Sequence, residues 1–123
     1  MEPLILQATE DTPEVIFDPD QNTFKISKIS VPEDAYEFYY PIIQWLKEYG
    51  ENALEKTVVD FDLEYVNSAS AKQIIQLLLA LEDISKNNDV SIKWYYEAID
   101  EDMQLLGKRF KNLADIEFEF IEI

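Results

Sequence analysis

The residues from Thr57 to Val66 set the tightest limit on the fold. Val59, Phe61, Leu63 and Tyr65 alternate with Asp60, Asp62 and Glu64, and a period of two sends the two sets to opposite sides of an extended strand. A strand with one apolar and one acidic side belongs in a sheet that is covered on a single face, because a strand buried on both sides reads as apolar throughout. Val90 to Glu97 repeats the pattern through Val90, Ile92, Trp94 and Tyr96, and the C-terminal IEFEFIEI, Ile116 to Ile123, repeats it again. Glu14 to Asp18, lying between Pro13 and Pro19, and the segment TFKISKI from Thr23 flank the polar stretch DPDQN and read as a strand pair.

Three helical patterns lie between these strands. Ser30 and the following Val31-Pro32-Glu33 have the form of a helix start, with proline near the first helical position and acids in the first turn. Ala35, Phe38, Ile42, Trp45 and Tyr49 then recur at helical spacing as far as Gly50, with Pro41 expected to kink the helix. Asn67 and Ser68 cap a second helix whose apolar stripe is Ile74, Leu77, Leu78, Leu81 and Ile84, ending near Asn87 and Asn88. Asp100, Glu101 and Asp102 precede a third, with Met103, Leu106, Phe110 and Leu113 on its buried side.

The order β-β-α-β-α-β-α-β, joined by right-handed crossovers, predicts an α/β fold: one domain spanning residues 1–123, with a mixed, mostly parallel five-stranded sheet and helices packed mainly on one face. The other face is left open and lined by Asp60, Asp62, Glu64, Lys93, Tyr95, Glu117 and Glu119. This topology is similar to that of STAS domains, the fold of anti-sigma-factor antagonists, a likeness that bears on fold and not on function.

Composition narrows the function. Twenty-six acidic against ten basic residues give a net charge of -16, which repels the phosphates of nucleic acids and anionic membranes and favours a protein partner with a basic surface. The chain has no cysteine and no histidine, so thiol catalysis, disulfides, thiolate metal sites and imidazole chemistry are excluded. Its two glycines, Gly50 and Gly107, cannot build a phosphate-cradling loop. With no apolar run near the roughly 20 residues of a membrane span and no signal-peptide pattern in MEPLILQATE, a cytoplasmic location is expected. No cofactor is called for.

The stretch Asn67-Ser68-Ala69-Ser70-Ala71-Lys72 stands where a parallel strand passes into a helix. Unpaired N–H groups and the helix dipole at such a junction would stabilise a phosphate on Ser68, typically by about 0.3–1 kcal/mol at an exposed site, whereas the plain alternative is that Asn67 and the serines are ordinary caps. Ser68 and Lys72 share a helix face, but no oxyanion hole or substrate pocket accompanies them, and Lys72 reads as a solvated charge. Asp60, Asp62 and Glu64, with Glu117 and Glu119, could in principle hold a hard cation, yet a flat acidic sheet face is the simpler account, so no metal is expected. Tyr36 and Tyr40 lie off the first helix's apolar stripe and Tyr95 points outward, which makes these three candidates for a partner interface.

Four segments together resemble the SiaC family of regulatory phosphoproteins: TPEVIFDP from Thr12, PEDAYEFYYPIIQWLKEY from Pro32, LEYVNSASAKQI from Leu63 and WYYEAIDEDM from Trp94, followed by the IEI ending. The resemblance implies a non-enzymatic signalling switch with a STAS-like fold. In that family a hydroxyl residue directly after the junction Asn is phosphorylated by a dedicated protein kinase and reset by a PP2C-like phosphatase; the matching position here is Ser68, with Ser70 as second choice and Asn67 and Lys72 as its surroundings. The resemblance further implies that the unphosphorylated form binds a downstream effector, in the best-known system a diguanylate cyclase, within cyclic-di-GMP and biofilm control. Two features depart from the family pattern: Ala69 interrupts the hydroxyl run, and Lys28 stands where a glycine is common before the first helix. The competing readings are a constitutive acidic adaptor without phosphoregulation and a carboxylate-based metal-dependent enzyme.

Overall fold

The computed structural model describes the whole chain, residues 1–123. Six strands and three helices follow in the order β1 (Leu4–Leu6), β2 (Glu14–Asp18), β3 (Thr23–Ser30), α1 (Ala35–Tyr49), β4 (Lys56–Val66), α2 (Ser68–Ser85), β5 (Asp89–Tyr96), α3 (Glu101–Leu113) and β6 (Glu117–Glu122), with one 3₁₀ turn at Gly50–Asn52. The strands form one sheet in sequence order; β1, β2 and β3 pair antiparallel, and β3 to β6 pair parallel. Each parallel strand is laid beside its predecessor in the same direction, so right-handed crossovers return every helix to the same side. No helix is long and apolar enough to cross a membrane.

The register carries one apolar row across the entire sheet: Leu6, Val15, Ile26, Phe61, Trp94 and Phe120 stand side by side. Onto this face α2 places all five residues of its predicted stripe, Ile74, Leu77, Leu78, Leu81 and Ile84, and these join the strand residues in a single core. The buried side of α1 is Ala35, Tyr39, Ile42, Leu46 and Tyr49, with Phe38 and Trp45 half-buried at its margins. Helix α3 buries Met103, Gly107 and Phe110, whereas Leu113, at its last turn, is exposed. Gly107 is needed for close approach: a β-carbon there would lie 2.5 Å from the Trp94 indole and 2.9 Å from Phe120.

Besides Leu113, which was expected on the buried side of α3 and is exposed, three features depart from the sequence expectations. The sheet has a sixth strand, β1, whose three residues are too few to show a period but which extends the β2–β3 hairpin by Leu4 and Leu6. Helix α1 starts four residues later than the Ser30 pattern suggests. Asp34 is its cap, accepting a hydrogen bond from the Glu37 N–H at 3.0 Å, while Ser30 is the last residue of β3 and its carbonyl accepts from Asn67 N–H. Pro41 lies within α1, which continues as one element to Tyr49.

The third feature is an irregularity near the end of β3. Lys28 pairs with Leu63 and Ile29 with Tyr65, leaving Glu64 as an extra residue on β4, and Lys28 has φ 82°. Strict alternation after Phe24 and Ile26 would turn Lys28 into the core. The left-handed backbone leaves the lysine exposed, while Ser30, in phase with Phe24 and Ile26, remains on the helix side and is fully buried. A side chain in this region costs about 1–2 kcal/mol relative to glycine.

Two stability predictions follow from this packing. Gly107→Ala gains up to about 1 kcal/mol of helix propensity but collides with Trp94, so a net loss of about 1–3 kcal/mol is expected in chemical denaturation. Unchanged stability would mean that α3 can lift from the sheet without penalty. Lys28→Gly is expected to raise the unfolding midpoint by relieving the left-handed strain, with Lys28→Ala unchanged; a drop on introducing glycine would mean that the bulge is not strained.

Candidate functional site

Asn67 sits in extended conformation between β4 and α2, and its side-chain oxygen accepts from the Ser70 N–H at 2.8 Å. Its own N–H donates to the Ser30 carbonyl at 3.1 Å, and its carbonyl accepts from the Ala71 N–H at 2.9 Å, opening the helix. The junction is therefore anchored to the end of the neighbouring strand on one side and to the first turn of α2 on the other. By the geometry of a helix start, the N–H groups of Ser68 and Ala69 have no intrahelical acceptor and face outward at the positive end of the helix dipole.

The two serines of this turn have opposite environments. Ser68 is the first residue of α2 and is exposed, as is Lys72 one turn further on. Ser70 is 0% exposed, and its hydroxyl accepts a 2.9 Å hydrogen bond from the Ser30 hydroxyl, which also lies 2.6 Å from the Tyr39 hydroxyl. This buried chain of three hydroxyls links β3, α1 and α2. Burial pushes the Tyr39 phenol up to about 12, outweighing the opposite pull of its bond with Ser30, so the group stays neutral and retains its proton for the chain.

Ser68 and Ala69 form one wall of an open groove whose other wall is the start of α1. Pro32, Glu33, Asp34, Tyr36, Glu37 and Phe38 line that side, with Thr12 at one end and Lys72 and Gln73 on the α2 side. Two helix starts thus converge here, and Lys72 is the one cation among the lining residues, against three acids. Tyr36 is 60% exposed and Tyr40 48% exposed, their rings 5.5 Å apart on the outer surface of α1.

The structure therefore gathers Asn67, Ser68, Lys72 and Tyr36 in one place and separates two other candidates from them. Ser70, the second choice, is sealed in the core, and of the two hydroxyls Ser68 alone is at the surface of the folded chain. Tyr95 lies on the helix-free face, its hydroxyl donating to the Asp60 carboxylate at 3.3 Å. Desolvation, and after it the negative charge of Asp60, Asp62 and Glu119, raise its phenol above the ordinary tyrosine value. The carboxylates of that face form no cluster that could hold a metal ion.

Apart from Tyr36, already a candidate for a partner interface, sequence reasoning did not identify the α1 wall of the groove, Pro32 to Phe38, as part of the site. The signal was present in the connectivity. Adjacent parallel strands end at the same rim of the sheet, so the β3–α1 and β4–α2 junctions had to be neighbours.

Comparison with known proteins gives the chain its place. Over 98% of its length it is similar to solved structures of SiaC from Pseudomonas aeruginosa: apo-SiaC, at 24% identity and a TM-score of 0.87 with 99% of that chain covered, and the complex of the diguanylate cyclase SiaD with its activator SiaC, at 24% identity and a TM-score of 0.88, again with 99% covered. These likenesses establish the shared fold. An uncharacterised protein of Pseudomonas aeruginosa strain UCBPP-PA14 is 26% identical over 121 residues, which is 98% of this chain and 94% of that protein. The model of the family described as SiaC family regulatory phosphoprotein matches residues 6–123, from the end of β1 to the last residue, and the chain belongs to that family.

Proposed function

We propose that this chain is a non-enzymatic switch: Ser68 is phosphorylated by a partner protein kinase and reset by a PP2C-like phosphatase, and the unphosphorylated form binds a downstream effector. The observation that carries this reading is the exposure of Ser68 at the capped first residue of α2, within a groove walled by the start of α1. A seryl phosphate there adds about -1.5 to -2 charge beside Glu33, Asp34 and Glu37, with Lys72 alone to offset it. The added charge and bulk change the groove's surface without demanding a change of fold, and a partner fitted to the unmodified groove against Tyr36 and the α1 start meets a bulky, strongly hydrated dianion in place of a small hydroxyl.

The effector of this reading is a diguanylate cyclase, by analogy with the SiaC that activates SiaD. A cytoplasmic setting follows from that assignment. The absence of histidine and cysteine, and a site made of a helix cap and a surface groove, support binding in preference to catalysis.

Three variants separate switch from cap. Incubated with the cognate kinase and ATP, the wild-type chain is expected to gain one phosphate by intact mass, mapped to Ser68, and Ser68→Ala to gain none; a phosphate found only elsewhere would reject the assignment. Ser68→Asp is expected to weaken effector binding at least about tenfold, equivalent to ~1.4 kcal/mol, with its circular dichroism unchanged. Equal binding by wild type and Ser68→Asp would favour a constitutive adaptor. Ser70→Ala is expected to keep full phosphorylation while losing about 1–3 kcal/mol of stability, because Ser30 and Tyr39 lose a buried partner. Loss of labelling with unchanged stability would reverse the roles of the two serines.

A further inference from the structure

The helix-free face of the sheet carries a charge order unrelated to the Ser68 groove. Read across β3 to β6 in register, its central row is Lys25, Asp60, Lys93, Glu119. The signs alternate, and the row ends in opposite charges. Such a row is complementary to its own reverse. If a second sheet is placed face to face and turned about a two-fold axis running along the strands between β4 and β5, Lys25 meets the other copy's Glu119 and Asp60 meets the other copy's Lys93, each pair occurring twice. The next row is Ser27, Asp62, Tyr95 and Ile121, and its central pair is complementary in the same way. Asp62 lies one step along β4 from Phe61, Tyr95 one step along β5 from Trp94, and Phe61 and Trp94 are register partners. The same operation sets the carboxylate of Asp62 against the hydroxyl of the other copy's Tyr95. An interface of this kind is isologous, the form required of a symmetric dimer, and two sheets stacked this way keep their strands within about 30° of each other.

Neither lysine of the row is neutralised inside the chain. The one ion pair of the structure joins Lys86 and Asp83, at the far end of α2. The rest of the chain shows the same face unpartnered, since all three helices lie on the opposite side with the core. We propose that this face is where a second copy of the chain docks, through the reciprocal pairs Lys25–Glu119 and Asp60–Lys93. The net charge of -16 opposes the encounter of two copies at low salt. At physiological ionic strength, with a screening length of roughly 8 Å, that long-range repulsion is damped while pairs in contact persist.

The test is sedimentation equilibrium of the full chain at physiological salt across a concentration series, with circular dichroism to confirm folding. Wild type is expected to show a monomer–dimer equilibrium. Lys25→Glu and Glu119→Lys each place like charges together twice and are expected to raise the dimer dissociation constant roughly tenfold or more. An equimolar mixture of the two single variants restores both pairs in the mixed dimer, and the double variant Lys25→Glu/Glu119→Lys restores them in its own dimer; both are expected to return to within about threefold of wild type. A wild-type chain that stays monomeric to about 1 mM overturns the proposal. So does a dimer indifferent to all of these substitutions, which would place self-association on another surface, and so does a failure of the mixture and the double variant to recover.

Discussion

A sheet whose parallel strands each lie next to the one before must carry all its crossovers on one side, and most of this molecule follows from that constraint. The apolar row from Leu6 to Phe120 is roofed by three helices, while the opposite side has no roof and bears the charged residues. The alternation of strands β4, β5 and β6 is the chemical counterpart of this asymmetry. The same constraint aligns the C-terminal ends of β3 and β4, so the starts of α1 and α2 meet at one rim and enclose a groove. Core, open face and groove are thus three results of one connectivity.

Where the sequence was legible, a period longer than the element's own turn made it so. Strands of six to eleven residues announced themselves by alternation, and α2 by five apolar residues at helical spacing. Strand β1 has only three residues and contributes nothing that a period could reveal. The start of α1 was misplaced because Ser30-Val31-Pro32-Glu33 satisfies local capping rules as well as Asp34 does. The decision rests with tertiary hydrogen bonds, since Ser30 is held in β3 by the Asn67 N–H, 37 positions away, and by the hydroxyls of Tyr39 and Ser70. The site shows the same division. Asn67 and Ser68 could be recognised as a cap followed by an accessible hydroxyl, and Ser70, four residues before Ile74, is in phase with the buried stripe of α2, a signal the search for a hydroxyl after Asn67 left unused. What the sequence did not show is its partner, the Ser30 hydroxyl of another strand.

Lys28 illustrates a sequence departure that the backbone absorbs. This chain holds a lysine at positive φ and adjusts the facing strand by the extra residue Glu64. The adjustment takes Lys28 out of the alternation, and Ser30, in phase with Phe24 and Ile26, is in the core two residues later, so the irregularity lies directly upstream of the hydroxyl chain that orders the start of α2.

That hydroxyl chain also determines how a modification at the rim can be read. The first turn of α2 is moored from beneath by Ser70 and from behind by Asn67, both tied to Ser30, and Ser68 is the one hydroxyl of that turn left on the outside. On the proposed reading, a group attached to it would ride on a moored platform, and the two forms would differ by contact with the altered surface, in the way a key is cut at its edge while the blank keeps its shape.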